Sequence, residues 1–477
     1  MDIPTGLTYD DVLLVPQRSF IDHRLDVSTK TKLTRHIDLS IPLVSANMDT
    51  VTESGMAIAL AREGGIGIIH RFMTIQDQVE EVKEVKRTVG FLLYAPYTIR
   101  PKTPMQKIWQ ISREKHVHSF IVVDGENHVL GILSKRDYMF EGNNGKEAGA
   151  LMTPFEKLIT ATEKITITEA KKLFHHYKIE KLPLIDKSRH LKGLITAHSV
   201  SAYEKYPFST KDSHGCYRVG AAVGVVKDYI ERAHALVSSG VDALVVDVAH
   251  GHNDVALRAM REIRKRFKHI DLIGGNVATK EGAEDLIECG VDGVKVGIGP
   301  GGLCTTRIVA GVGVPQLTAV LACSTIAKKH RVPVIADGGT NYPGDIPKAL
   351  AAGAATCMLA GWFAGTDESP GGIILRKGMK YKVHRGSASF LATADRQITL
   401  ENKTEQQLNS VVPEGVESLI PYKGSVSDVI AQLLGALRSG MSYCNAGSID
   451  ELQNHAHFIR ITDAGLRESK SHNITEL

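Results

Sequence analysis

The sequence predicts an eight-stranded parallel β/α barrel interrupted by an inserted, internally duplicated module. Short apolar runs ending in glycine or a polar residue recur along the chain, each followed by helical periodicity, and this alternation marks a parallel sheet with crossover helices. There are eight such runs, the number that closes a barrel. The interval between the second and third far exceeds an ordinary connection, so something is inserted there.

In order the runs are residues 41–48, 65–70, 217–224, 243–249, 271–277, 293–299, 332–339 and 356–362, with helical patterns at 74–87, 254–267 and 316–330. An open doubly wound sheet is the alternative α/β arrangement. Within the insert, His-Ser-Phe-Ile-Val-Val-Asp at 118–124 and Val-Leu-Gly-Ile-Leu-Ser at 129–134 are echoed by Lys-Leu-Pro-Leu-Ile-Asp at 181–186 and Leu-Lys-Gly-Leu-Ile-Thr at 191–196. Asp124 matches Asp186 and Gly131 matches Gly193 at one constant offset, which chance similarity would not hold through two strands and a turn. The pair resembles a tandem cystathionine-β-synthase (CBS) module. That resemblance implies a cleft for ATP, GTP or other purine nucleotides and an allosteric role; a packing or oligomerisation insert is the alternative. The expected domains are 1–90 with 208–477 for the barrel and 91–207 for the insert, its halves meeting near 149 and 150.

Composition narrows the function. The 477 residues carry 57 basic and 53 acidic side chains, a formal charge of +4 without a one-sided basic stripe, so no specific nucleic-acid binding is expected and any bound anion is small. Six cysteines form no CxxC pair and the start of the chain does not read as a signal peptide, so a cytoplasmic, reducing location is expected. No apolar run approaches the roughly 20 residues that span a bilayer, so no membrane insertion is expected.

Barrels of this kind place their chemistry after the strand C-termini, with phosphate commonly bound after the seventh and eighth strands. Those ends read Ala336-Asp337-Gly338-Gly339 and Leu359-Ala360-Gly361-Trp362. The glycines allow backbone N–H groups to approach an anion closely, and Asp337 suits the two hydroxyls of a ribose. After the sixth strand comes Gly297-Ile-Gly299-Pro-Gly301-Gly302-Leu303-Cys304-Thr305-Thr306-Arg307. A cysteine in so glycine-dense a loop on the catalytic face reads as a nucleophile, with Thr306 near enough to relay a proton. Carbonyls of Gly299, Gly301 and Cys304 are candidate ligands for K+. His250 and His252 have HxH spacing, but no acidic or sulfur ligand accompanies them in the sequence, so zinc is not expected.

Further motifs are Gly-Leu-Thr-Tyr-Asp-Asp-Val at 6–12, Ala-Asn-Met-Asp-Thr-Val at 46–51, Glu-Gly-Gly-Ile-Gly-Ile-Ile-His at 63–70 and Gly-Val-Gly-Val-Pro-Gln at 311–316. With the Cys304 loop they resemble the IMP dehydrogenase and GMP reductase family over essentially the whole chain. The resemblance implies Cys304 attacking purine C2 of a nucleoside monophosphate (GMP or IMP), with hydride exchanged at C2 by NADPH or NAD. It implies Asp337 on the ribose, Gly339 and Gly361 on the phosphate, Glu414 on the base, and Met48, Gly338, Ala360 and Gly386 in the substrate set. Asp247 and Asn276, with Gly297 and Gly299, fall on the nicotinamide side. Glu468 and Ser469 would add cation ligands from a neighbouring subunit, which implies a homotetramer or octamer.

Departures from the family pattern bear on which activity is present. Gly302 stands for a phosphate-binding serine, His384 for a tyrosine, and Ser387 for a base-contacting methionine. The water-activating Arg-Tyr pair that a dehydrogenase needs falls, in a gapless reading, at Leu400 and Glu401, and the nearby Arg396 is followed by Gln397. Thr306 and Glu414, which serve deamination in the reductase branch, are both present. The expected activity is therefore NADPH-dependent reductive deamination of GMP to IMP and ammonia, as in CBS-bearing GMP reductases such as those of kinetoplastids. Oxidation of IMP to XMP with NAD is the alternative, and a catalytically impaired nucleotide sensor is the second.

Overall fold

The structure is a computed structural model describing residues 3–87, 92–93, 96–114, 117–141, 145–394 and 412–471. Eight parallel strands close into a barrel in chain order: β1 (Leu43–Ser45), β2 (Ile66–Ile69), β3 (Gly220–Val223), β4 (Ala243–Asp247), β5 (Asp271–Val277), β6 (Gly293–Val296), β7 (Val334–Asp337) and β8 (Thr356–Leu359). Closure is made where Leu359 of β8 pairs with Ser45 of β1. Each predicted run contains its strand, but the hydrogen-bonded ladder is shorter than the apolar pattern. The third run shows why: Tyr217 is buried and bridges Lys211 before the ladder begins at Gly220.

The strands are apolar because both faces are covered. Val44, Ile66, Ile68, Val245, Ile273, Ile335 and Met358 belong to the central cluster, joined by Leu33, Ile37 and Leu39. Fully burying each such side chain contributes about 1.5–3 kcal/mol. Met48 and Ala360, just beyond the ends of β1 and β8, pack on this cluster, so the floor of the barrel mouth rests on the core.

Surrounding helices include α1 (Ser54–Glu63), α2 (Ile75–Arg87), α3 (Tyr229–Ser238), α4 (Asp254–Arg266), α5 (Lys280–Glu288), α6 (Gln316–Lys329), α7 (Asp345–Ala351) and α8 (Val426–Tyr443). On α4 the buried set Ala256, Leu257, Ala259, Met260 and Ile263 makes one apolar stripe, and the Asn253 side chain caps its start by accepting from the Ala256 amide. The Thr279 hydroxyl does the same for α5 through the Gly282 amide. No helix among the described residues is long and apolar enough to cross a membrane.

Two compact units divide the chain, one of residues 1–86, 208–210 and 218–477, the other of residues 87–207 and 211–217. The second unit holds two antiparallel hairpins, Ser119–Val123 with Val129–Ser134 and Lys181–Ile185 with Leu191–Thr196. Their pairing is the same after a shift of 62 positions: Ser119 faces Ser134 as Lys181 faces Thr196, and the register slips after Val122 as it does after Leu184. The turns match as well. Asp124 accepts from the amides of Glu126 and His128, and Asp186 from those of Ser188 and His190, while His128 and His190 stack with ring centroids 4.4 Å apart.

A three-stranded antiparallel sheet, Ile374–Arg376, Met379–Arg385 and Glu417–Pro421, belongs to the first unit. It is docked on the loop after β1 by an ion pair of Arg385 with Asp49 at 2.6 Å. This contact brings His384 and Gly386 to the barrel mouth.

Candidate active site

A cavity of about 460 Å3 opens at the C-terminal ends of the barrel strands. Its wall is built from the loop after β6, the ends of β7 and β8, and the antiparallel sheet with its return strand, completed by the residues after β1 and at the end of β4. The β6 loop is held open by backbone pairing. Thr305 donates its amide to the Glu414 carbonyl at 2.9 Å, Val416 donates to the Leu303 carbonyl at 3.0 Å, and Glu414 donates to the Ala388 carbonyl at 3.0 Å. Glycine is required at Gly297, where φ is +152° and an added Cβ would stand 2.1 Å from the Asp337 carbonyl oxygen.

This pairing presents Cys304 with an exposed thiol. The thiol donates to Thr306 Oγ1 at 3.2 Å, and the Thr306 hydroxyl donates to Glu414 Oε2 at 2.8 Å. Sulfur, hydroxyl and carboxylate thus form one continuous relay at the cavity wall.

Opposite lies a charged group at the ends of β4, β6 and β7. Lys295, buried on β6, donates to Asp337 Oδ2 at 2.7 Å and to Asp247 Oδ1 at 3.4 Å. Burial alone would push the Lys295 ammonium down, but the Asp337 and Asp247 carboxylates outweigh it and raise the group above its ordinary range. For Asp247, burial would push the carboxyl up, yet the Lys295 and Arg71 cations and a hydrogen bond from Asn47 hold it below. Asn276 donates to Asp337 Oδ2 at 2.9 Å and to the Gly297 carbonyl at 2.7 Å. Asp337 is thereby fixed with its acceptor oxygens at the cavity, where it can take hydroxyl donors.

The ends of β7 and β8 supply donors. Backbone N–H groups of Gly339, Thr340, Gly361 and Trp362 find no acceptor among the described residues, and the Trp362 indole ties the two ends together by donating to the Thr340 carbonyl at 3.1 Å. Convergent free amides with glycine at their centre are an anion cradle.

Of the residues singled out from sequence, Met48, Asp247, Gly301, Gly302, Cys304, Thr306, Asp337, Gly338, Gly339, Ala360, Gly361, His384, Gly386, Ser387 and Glu414 line this one cavity. Five do not. Asn276 and Gly297 stand behind Asp337 and shape it, and Gly299 folds against the aliphatic part of Arg307. Glu468 ends the helix Asp463–Glu468 and Ser469 caps it, and neither reaches the cavity of its own chain. The flap positions Arg396, Gln397, Leu400 and Glu401 lie outside the described residues. His252, read from sequence as lacking an acidic neighbour, bonds Asp285 at 2.8 Å across 33 residues.

Sequence reasoning missed Lys295, Thr50 and Lys423. Lys295 had a signal, a lone lysine inside the apolar strand Gly-Val-Lys-Val, and an unpaired charge is not buried there. Thr50 had none, because its partner His384 is 334 residues away.

Residues 6–472 match the IMP dehydrogenase / GMP reductase domain. The chain belongs to the IMP dehydrogenase / GMP reductase family. Its relatives in this family include the inosine-5'-monophosphate dehydrogenase of Aquifex aeolicus, 50% identical over 99% of this chain and 96% of that protein. The GMP reductase of Leishmania donovani is 44% identical over 100% of this chain and 98% of that one. Among solved structures, a Trypanosoma brucei GMP reductase in complex with guanosine 5'-monophosphate superposes with a TM-score of 0.91 at 44% identity, covering 99% of both chains. IMP dehydrogenase / GMP reductase family members are purine nucleotide oxidoreductases that use nicotinamide cofactors.

His384 is 5% exposed and bonds Thr50 Oγ1 through Nδ1 at 3.1 Å. Burial, aided by the Lys423 ammonium and opposed by Asp49, pushes its pKa down to about 4, so the ring is neutral at pH 7. The unfolded chain binds this proton near pH 6.5 and the folded chain does not, so stability falls as pH drops from about 6.5 to about 4, by about 3 kcal/mol from this residue. In His384→Gln this part of the loss is absent. Urea midpoints measured from pH 7 to 4 are expected to fall more steeply in the wild type; parallel curves would show that the ring is not held neutral.

Proposed function

We propose that the chain is a GMP reductase, carrying out NADPH-dependent reductive deamination of GMP to IMP and ammonia. The observation that supports this reading most is the Cys304–Thr306–Glu414 relay. Thiolate attack at C2 of a guanine base must expel an amine, and an amine leaves only when protonated. The thiol proton passes through Thr306 to Glu414 as the S–C2 bond forms. It returns by the same path to the amino nitrogen as the C2–N bond breaks, so the carboxylate serves as base and then acid. The ribose hydroxyls fall to Asp337, and the phosphate to the free amides after β7 and β8.

A reduced nicotinamide, when bound, would supply the hydride that C2 takes up, and Cys304 would then leave C2 as the thiolate. Residues fit such a ring: Asp247 and Ala249 line the cavity, and the buried Asn276 Oδ1 has no donor, which is the acceptor a carboxamide NH2 takes. K+ would be held by the carbonyls of Gly299, Gly301 and Cys304, with Glu468 and Ser469 supplied by a second copy in a homotetramer or octamer. The duplicated hairpins of the second unit support a tandem CBS module for purine nucleotides such as ATP or GTP.

IMP dehydrogenase activity is the second reading, favoured by identities of 47% and 50% to enzymes of that name against 44% to GMP reductases. One assay separates the two by following reduced-cofactor absorbance with GMP plus NADPH and then IMP plus NAD. Consumption in the first alone is the expected result, whereas production in the second alone overturns the assignment. Silence in both with GMP binding retained would leave a nucleotide sensor.

A further inference from the structure

Two residues beside the anion cradle, Gly302 and His384, bring it no charge, and the structure offers another source of positive potential. Gly302 has only open space where a side chain would begin, and His384 is a neutral ring turned onto Thr50. Neither carries charge to an anion. Lys423 follows the return strand Glu417–Pro421, and its ammonium donates to the Gly361 carbonyl and, at 3.1 Å, to the Trp362 carbonyl. Among the described residues it forms no ion pair with a carboxylate.

The peptide linking Gly361 to Trp362 carries both the carbonyl that Lys423 grips and the Trp362 N–H that finds no acceptor. A cation on a carbonyl oxygen draws electron density along the amide and strengthens the N–H as a donor, the cooperative effect that lengthens hydrogen-bonded chains. Its field also reaches any anion seated on that turn. A half-buried ammonium without a carboxylate partner is costly by itself, and burial pushes the Lys423 pKa down to about 8. A dianion next to it would remove that cost.

We infer that Lys423 is the positioning residue of the phosphate cradle, acting through the Gly361–Trp362 peptide to select a nucleoside monophosphate over the nucleoside. The inference rests on the reading of the β7 and β8 ends as the phosphate site. It assigns phosphate selectivity to a lysine on the carbonyl side of the turn, which leaves the amide side free for the ligand.

The test compares GMP and guanosine as ligands of the full chain, by equilibrium dialysis, in wild type, Lys423→Met and Lys423→Arg. Lys423→Met is expected to weaken GMP at least tenfold while guanosine affinity stays within a factor of about two, and Lys423→Arg to recover most of the GMP affinity. Equal weakening of both ligands would show that Lys423 only props the turn and would overturn the inference, as would an unchanged affinity for GMP. If wild type binds GMP no more tightly than guanosine, the phosphate cradle itself is wrong, a result distinct from failure of the lysine alone.

Discussion

Cys304→Ala is expected to abolish turnover, by at least on the order of 10^4-fold, while GMP binding stays within severalfold of wild type. The two halves of this expectation come from different parts of the cavity. Turnover needs the sulfur, which sits at the exposed end of the relay through Thr306 to Glu414. Binding, on the proposed reading, is carried by Asp337 and the free amides after β7 and β8, none of which bonds the thiol. Steady-state rates and equilibrium dialysis with GMP check both halves, and turnover retained in the alanine variant would refute a covalent route. The same thiol is expected to be alkylated first by iodoacetamide. Cys289, Cys323, Cys357 and Cys444 are buried, and burial pushes Cys323 and Cys357 up to about 12. A thiol that stays protonated does not react. GMP should slow the alkylation of wild type by covering the sulfur.

The barrel was legible because each strand is buried on both faces, so an apolar run with a glycine at its end marks it without help from neighbours. Gly338, Gly339 and Gly361 were legible as well, because a glycine at a strand end that lines the cavity needs only backbone freedom. The insert was legible through its duplication, since one offset relates Asp124 to Asp186 and its turn as well as its strands. Contacts between distant segments were not. The Thr306–Glu414 bond spans 108 residues and the Lys423 contact to Trp362 spans 61, and no local pattern encodes either partner. Resemblance to the family supplied Glu414 but was silent on Lys423. Asn276 and Gly297 were located at strand ends from the sequence, but the bonds by which Asn276 braces Asp337 and the Gly297 carbonyl were not legible, because sequence position does not show which distant groups a side chain meets.

Lys295 is where fold and site depend on one charge, and Lys295→Met is expected to cost about 3–5 kcal/mol of stability at pH 7. The methionine fills a similar volume, so the loss is electrostatic: Asp247 and Asp337 remain in the barrel end with no cation between them. In wild type the depressed Asp247 carboxyl contributes stability that is present above its unfolded pKa and lost as pH falls through the folded value. Without Lys295 burial dominates, the folded pKa rises, and the variant's deficit is relieved as pH falls and the carboxylates protonate. The stability gap between the two proteins should therefore be widest near neutrality and narrow toward the carboxylate range at about pH 4. Adding Asp247→Asn to the variant should recover part of the loss, because the two sites share one interaction and their effects do not add. Urea denaturation at pH 7 and pH 4.5 measures all three proteins. A gap that stays constant with pH, or a double variant whose losses simply add, would mean that Lys295 acts through packing and not through the two carboxylates.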